Sequence, residues 1–305
     1  MSCNKSVTLP VRACQSGLVA IPVLGRLVKR SVMLCRATVF LVAIDPEDFL
    51  SLVRSGSCQH VAAAIRAGAS LSAVDKYGGT PLMAAASCNR DARVIRFLLG
   101  AGADVNAVCS NGSTALMAAA CFNQNPEIVS ILVEAGARIS ARNEDGATAL
   151  MRAAAHSQDP TVISRLLSAG AEIDGRDNAS RTAVMYAASS NENPEIVSAL
   201  IAARADLHAA DRKGRTALIC AAASNPNPEV VDRLLAGGAE VNAEDDSGAT
   251  ALLWAARGAS PDIVCLLLRS GADASIGDWT GRTARDYVVQ NGKLRGTAAY
   301  DELLR

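Results

Sequence analysis

One phrase recurs every 34 residues along most of this chain, and no other sequence feature limits its fold as strongly. One copy reads GGTPLMAAASCNRDARVIRFLLGAGADVNA, from Gly78 to Ala107. A period of this length is typical of arrays in which each module packs only against its neighbours. The sequence therefore predicts a stacked array of modules and excludes a single rounded core. The threonine of the phrase returns every 34 residues, and a last one follows after 33: Thr80, Thr114, Thr148, Thr182, Thr216, Thr250 and Thr283.

Each copy carries signals for two short helices. The threonine is a good N-cap, and Pro81 fits the first helical position behind it. The alanines after Leu82 give that helix an apolar face with almost no side-chain bulk. A second helix is predicted to begin at Asn-Pro-Glu, as at Asn125, and a glycine such as Gly136 permits the left-handed turn that ends it.

Taken together, these residues resemble the ankyrin repeat. The matching pattern is D-x-x-G-x-T-P/A-L-x-x-A-A followed by E-I/V-V-x-x-L-L-x-x-G-A-x-V-N-A, and it covers roughly Phe49 to the C-terminus. The resemblance implies an all-α solenoid with β-turn fingers on its concave side, and partners that contact the finger tips and the exposed side of each first helix. Most copies carry one extra residue between the helices. The histidine usual after T-P-L is also replaced, so packing should take over its hydrogen bond between repeats; the residues at that position are Met83, Met117, Met151, Met185, Ile219 and Leu253.

The chain divides into four predicted segments. Residues 45–74 should form an N-terminal capping repeat, 75–277 six full repeats, and 278–305 a C-terminal capping repeat that shields the open end of the stack. Residues 1–44 hold six basic residues and no acidic one. This extension is interpreted as disordered or mis-started, as a targeting or export segment, or as a docked structural segment. Its apolar run at 37–44 is too short to span a bilayer.

The fourth repeat departs from its own pattern at two positions. Ser180 stands where the other fingers have glycine, and Arg204 stands where the other second helices end in glycine. Arg204 in the left-handed conformation would cost about 1 kcal/mol. One interpretation is tolerated sequence drift, and the other is a compliant joint in the middle of the array.

Composition and spacing give no support for catalysis or for bound cofactors. Formal net charge is zero, which gives no reason to expect nucleic acid as a partner. The three histidines, His60, His156 and His208, lie at no metal-ligand spacing from each other or from a cysteine. The nine cysteines are scattered, as in a chain kept reduced in the cytoplasm. We therefore predict no catalytic, cofactor-binding or metal-binding residues.

What remains is a protein-binding surface on the fingers and first helices. Basic residues cluster on adjacent fingers and could bind an acidic segment of a partner, although chance clustering of solvated residues is the alternative. Exposed aromatic residues are scarce here and are candidate anchors. Cys121, Phe122, His156, Ser190 and Arg257 are expected to face the groove. The predicted partner-binding residues are Lys76, Tyr77, Asn111, Phe122, Glu144, Asp145, Arg176, Arg181, Arg212, Lys213, Arg215, Asp246, Arg257 and Trp279.

The sequence thus predicts a non-enzymatic scaffold or adaptor that binds a protein. The alternatives are a secreted effector that uses the same surface and, third, an enzyme with an unrecognised site. Capped ends lead us to expect a monomer, and the short apolar run at 37–44 leads us to expect no membrane span. A cytoplasmic location is expected, or an exported one if residues 1–44 are a targeting segment.

Overall fold

Alternating short helices and tight turns make up the computed structural model, which describes residues 44–258, 260–290 and 294–304. Sixteen helices and no strands lie within those residues, apart from two isolated β-bridges, Glu244 to Thr250 and Gly277 to Thr283. The prediction of an all-α solenoid is confirmed. The helices are α1 (Pro46–Ser55), α2 (Cys58–Arg66), α3 (Pro81–Cys88), α4 (Ala92–Gly100), α5 (Ala115–Phe122), α6 (Glu127–Glu134), α7 (Ala149–His156), α8 (Pro160–Ser168), α9 (Ala183–Ser190), α10 (Pro194–Ala202), α11 (Ala217–Ser224), α12 (Pro228–Ala236), α13 (Ala251–Gly258), α14 (Pro261–Arg269), α15 (Ala284–Gln290) and α16 (Ala298–Leu304).

The first helix of each repeat packs mainly against the first helices of the two neighbouring repeats. In α3 the six residues from Pro81 to Ala86 are all buried, because alanine lets helices approach on more than one side. The second helices bury one face only, as α4 does through Val94, Ile95 and Leu98. The core is therefore a continuous band along the stack, and each repeat contributes one slice of it.

Most of the predicted threonine caps are present. Thr80, Thr114, Thr148 and Thr216 each accept a hydrogen bond from the backbone amide three residues later. The prediction is wrong for Thr182 and Thr250, whose buried hydroxyl oxygens have no hydrogen-bond partner among the described residues. In the second repeat the helix α6 begins at Glu127, one residue later than the Asn-Pro-Glu pattern predicts, yet the Asn125 side chain still caps the Glu127 amide.

The two substituted glycine positions of the fourth repeat keep the conformation that glycine has elsewhere. Ser180 has φ 62° and Arg204 has φ 65°, both in the left-handed region. The other five repeats have glycine at both positions, each with φ between 72° and 95°. The fourth repeat therefore retains the fold of its neighbours at a cost in backbone strain.

Asparagine side chains join successive repeats in a way the sequence did not predict. The Asn123 amide nitrogen donates to the carbonyl oxygens of Ala86 (2.8 Å) and Asn89 (2.9 Å) in the repeat before it. Asn125 Nδ2 donates to the Arg90 carbonyl at 2.9 Å. We call these contacts asparagine bridges. The same bridges are made by Asn89, Asn191, Asn193, Asn225 and Asn227.

The step from the second to the third repeat, called here the 2/3 step, lacks these bridges. Ser157 and Asp159 replace the two asparagines, and their hydrogen bonds stay inside the third repeat. A further bridging position after the second helix holds Asn106, Asp174 or Asn242 at other steps and Ser140 here. Among the described residues, the 2/3 step is the one between full repeats where none of these positions forms a bridge.

Candidate binding surface

Each finger is built around one residue whose side chain accepts hydrogen bonds from the turn. In the fifth finger, Asp211 Oδ1 accepts from the backbone amides of Lys213 (2.8 Å) and Arg215 (3.0 Å). A backbone hydrogen bond then joins each finger to the next, as between the Arg212 amide and the Ala179 carbonyl at 2.9 Å. This geometry holds the two tip residues of every finger in a row along the stack.

Two of the predicted arginines are bound within their own fingers. Arg215 Nη2 lies 2.7 Å from Asp211 Oδ2 and Nε lies 3.0 Å from the same oxygen. Burial alone would raise the pKa of Asp211, but the hydrogen bonds from Arg215 and from the turn amides outweigh it and leave this pKa lowered. Arg215 therefore neutralises a half-buried carboxylate and offers a partner less charge than the sequence suggests.

Arg181 has the same role in the fourth finger. Its guanidinium lies 2.9 Å from Asp177 Oδ2 and 4.4 Å from the centre of the Tyr186 ring. The Tyr186 hydroxyl donates to the same carboxylate oxygen at 2.7 Å, and burial together with that bond raises the pKa of Tyr186. The hydroxyl thus stays a donor, and Arg181 is half-buried between a ring and a carboxylate.

Of the basic residues on the fourth and fifth fingers, Arg176, Arg212 and Lys213 form no ion pair within the described part of the chain. Arg212 and Lys213 are exposed at the tip of the fifth finger, and neither forms an ion pair with another described residue. Arg176 donates to the carbonyl oxygens of Ser180 and Ala210, which carry no net charge. We call these three residues the basic band. A cleft of about 350 Å³ brings together Arg181, Arg212, Lys213 and Arg215, lined also by Asp145, Asp177, Asn178, Ala179 and Asp211.

Acidic tips flank the basic band on both sides. Glu144 and Asp145 are exposed on the third finger, and Asp246 is exposed on the sixth. Asp245 beside it is buried and accepts hydrogen bonds from Ser247, Ala249 and Trp254, so its side chain stabilises the turn of the sixth finger. The finger tips are therefore acidic in the third repeat, neutral in the fourth, basic in the fifth and acidic in the sixth.

The predicted aromatic anchors are exposed. Tyr77 keeps 41% of its surface, Phe122 40% and Trp279 79%. Lys76 Nζ lies 4.9 Å from the centre of the Tyr77 ring. Trp279 lies over Gly248, where a Cβ would come within 2.7 Å of the indole, so the glycine makes room for the ring.

Other predicted residues have local roles. The Asn111 side chain accepts hydrogen bonds from the Ser113 amide and the Cys109 thiol, so it shapes the second finger. Arg257 lies over the rings of Trp254 (4.8 Å) and Tyr287 (5.1 Å), two aromatic residues that the sequence prediction missed. The expectation that Cys121 faces the groove is wrong, because its side chain is buried among the first helices.

The prediction also missed Arg152. It stands nine residues after the start of its finger, and the equivalent residues elsewhere are small or aromatic: Ala84, Ala118, Tyr186, Cys220, Trp254 and Tyr287. That position lies where the first helix meets the finger, as the bond between Tyr186 and Asp177 shows. The sequence signal that could have revealed Arg152 is an arginine at a position where the other repeats have a small or an aromatic residue.

The described residues contain no group of three His, Cys, Asp or Glu side chains placed to hold a metal ion. Every helix in those residues is too short or too polar to cross a bilayer. The thiols of Cys58, Cys109, Cys121, Cys220 and Cys265 form no disulfide with one another or with another described residue.

Comparison with protein families agrees with this geometry. A family model described as ankyrin repeats (3 copies) matches in six overlapping stretches, residues 50–143, 82–177, 121–211, 150–245, 184–278 and 221–295. A search of curated proteins found no match.

Proposed function

The chain belongs to the ankyrin repeat family, whose repeats are protein–protein interaction modules, and we propose that it is a non-enzymatic scaffold that binds a partner through its finger tips and groove. The observation that carries this proposal is the regular row of tips, held in place by one backbone hydrogen bond between neighbouring fingers. The residues that repeat serve folding. The residues that vary lie on the exposed tips, where they set specificity.

The basic band is the part of this surface that we propose binds an acidic segment of the partner. Arg212 and Lys213 project from one tip without internal carboxylate partners, so a partner carboxylate would neutralise them. The acidic tips on either side would repel a long polyanion and so restrict the acidic stretch to about two fingers.

Affinity enrichment with a matched pair of variants tests this proposal. The double variant R212E/K213E reverses the two free charges of the basic band. The control R138E/R269E reverses two exposed arginines next to the second helices, outside the row of tips. Arg181 and Arg215 are unsuitable, because their loss would leave Asp177 or Asp211 unpaired.

We expect a partner that is recovered by the wild type and the control at equal yield, and by R212E/K213E at least about tenfold less, as the loss of two charge-assisted contacts predicts. Equal recovery by R212E/K213E would contradict the role of the basic band. Failure of every form to bind any protein would contradict the scaffold function.

The secreted-effector alternative is favoured by one observation, the acid-free and basic composition of residues 1–44, which lie outside the described residues except for Ile44. Free thiols are suited to the cytoplasm, which we propose as the site of action. Fractionation of the native producer cell followed by N-terminal sequencing decides between them. We also propose a monomer, to be checked by light scattering.

A further inference from the structure

Four side chains come together at the 2/3 step, three of them on the groove floor and the fourth, Cys121, buried. Phe122 and Cys121 come from the end of α5, and Arg152 and His156 come from successive turns of α7. The Phe122 and His156 rings stack with centroids 6.3 Å apart and planes 19° apart. Arg152 Nη2 lies 3.6 Å from Cys121 Sγ. The four side chains thus connect two repeats whose asparagine bridges are missing.

The charge of Arg152 is not neutralised by a described residue. Arg152 donates to the Cys121 thiol, and burial raises the pKa of Cys121 to about 11, so that thiol is uncharged near neutral pH. No carboxylate among the described residues lies within ion-pair distance of Arg152. Arg181 and Arg215, by contrast, each bind a carboxylate of their own finger. Arg152 therefore offers a half-buried guanidinium to a ligand, where a charge-assisted hydrogen bond is stronger than in open solvent.

The rings beside it form a flat apolar surface. Phe122 is large and exposed, and His156 occupies the same helix position in the next repeat. The other four repeats have small residues there: Cys88, Ser190, Ser224 and Gly258. The pKa of His156 is lowered, mainly because its ring is partly removed from water and to a smaller extent because Arg152 is positively charged. The ring beside Phe122 is therefore neutral at pH 7. A neutral stacked pair suits a third ring better than it suits a charged group.

We propose that the groove floor at the 2/3 step binds an acidic residue next to an aromatic residue in an extended segment of the partner, with the carboxylate on Arg152 and the ring on Phe122 and His156. This inference rests on the proposed scaffold function and names a chemistry for a second part of the same groove. The site is suited to a single carboxylate, because Glu144 and Asp145 on the third finger would repel a phosphate-rich ligand.

Two small probes test the site directly. N-acetyl-Asp-Phe-amide carries the acid and the ring, and N-acetyl-Asn-Phe-amide is its uncharged control. Each is titrated at millimolar concentration into the full chain while the ring signals of Phe122 and His156 are followed by NMR. The variants are R152Q, F122S and, as a control outside the groove, R138Q. Thermal unfolding of each variant confirms that it is folded.

The wild type and R138Q should bind the acidic probe about tenfold more tightly than the amide probe, because the amide probe has no carboxylate to form a charge-assisted hydrogen bond with Arg152. R152Q should bind the two probes equally, and F122S should weaken both. Preference for the acidic probe in R152Q, signal changes at the fingers instead of at His156, or no change with either probe would overturn the inference. R212E/K213E leaves this site intact, so enrichment with that variant still tests the proposed function separately.

Discussion

The 2/3 step and the step from the fourth to the fifth repeat join helices of the same kind and similar length, but different hydrogen bonds connect the repeats. At the later step Asn225 and Asn227 donate three hydrogen bonds to the previous repeat, and Arg233 forms an ion pair with Glu195. At the 2/3 step, the serine and aspartate at the asparagine positions make no such bonds, and Arg165 donates to Ser130 instead. Both steps thus share the packing of the first helices, and the asparagine bridges add hydrogen bonds between repeats at the later step. We infer that these bridges strengthen the coupling of one repeat to the next.

The weakly bridged step is also the one with an uncompensated arginine and an exposed aromatic residue in the groove. Binding sites are often drawn from the less stable parts of a fold, because residues placed for a ligand are not used for internal bonds. A ligand that contacts α5 and α7 together would supply the missing coupling. Four changes test whether the two steps differ in this way.

The largest effect should come from removing a bridge. In N225S the buried side chain no longer reaches the carbonyls of Ala188 and Asn191, and we expect the free energy of unfolding in urea to fall by about 2–3 kcal/mol. The control N178S removes one exposed hydrogen bond, to Glu144, and should cost less than about 1 kcal/mol. Equal losses would show that the bridges do not couple the repeats.

Installing bridges at the 2/3 step should have the opposite sign. In S157N/D159N the new amides can donate to the second repeat as Asn191 and Asn193 do to the third, and we expect a gain of about 1–2 kcal/mol in urea unfolding. S190N places the same side chain on an exposed helix end and should change stability by less than about 0.5 kcal/mol. A destabilised double variant would mean that the 2/3 step is closed to such bonds.

Relief of backbone strain in the fourth repeat should have a smaller effect. R204G replaces a left-handed arginine by the residue found in the other repeats, and should raise the free energy of unfolding by about 1 kcal/mol. The reverse change, G170R, enters open space at the same position of the third repeat, so its expected loss of similar size is due to φ alone. If R204G raised the free energy of unfolding by much more than about 1 kcal/mol, the result would support the hypothesis of a compliant joint in the fourth repeat.

Acid should produce the smallest difference, and it should divide the fingers into two groups. Burial would raise the pKa values of Asp177, Asp211 and Asp245, but hydrogen bonds to their carboxylates leave all three lowered. A lowered folded-state pKa adds stability above the unfolded value near 4, and that stability is lost as pH falls through the folded pKa. The second and third fingers have Cys109 and Asn143 at that position.

Hydrogen bonds from Thr280 and Tyr287 likewise lower the pKa of Asp278, the equivalent residue of the C-terminal capping repeat, to about 2. Amide hydrogen exchange at successive pH values below 4 should therefore show protection lost first in repeats four to six and in that capping repeat. D211N should remove part of that pH dependence. Simultaneous loss of protection in all fingers would contradict the assignment of stability to these carboxylates.

Local signals predicted the modules well. A threonine, an alanine run and a glycine act within one repeat, so the helices could be placed from the sequence alone. The asparagine bridges escaped notice because Asn125 and Asn193 also cap helices, and the cap was a sufficient reason for their presence. Their second contact is with carbonyls 35 residues earlier, which a local pattern does not show.

The candidate surface was less predictable for a similar reason. Arg181 and Arg215 look like free charges in the sequence, but each follows by four residues an aspartate whose side chain the finger buries. Arg152 was overlooked because its significance depends on two contacts that form only when the two repeats stack: its own contact with Cys121, and the stacking of Phe122 on His156 one turn away.

Native-state hydrogen exchange of the wild type and of S157N/D159N measures how strongly the repeats are coupled across the 2/3 step. We predict that amides of the first two repeats and amides of repeats three to six exchange as two cooperative groups with a boundary at the 2/3 step, and that the double variant merges them. A single cooperative group in the wild type, or a boundary at the fourth repeat, would contradict the claim that missing asparagine bridges make the 2/3 step the weakest junction.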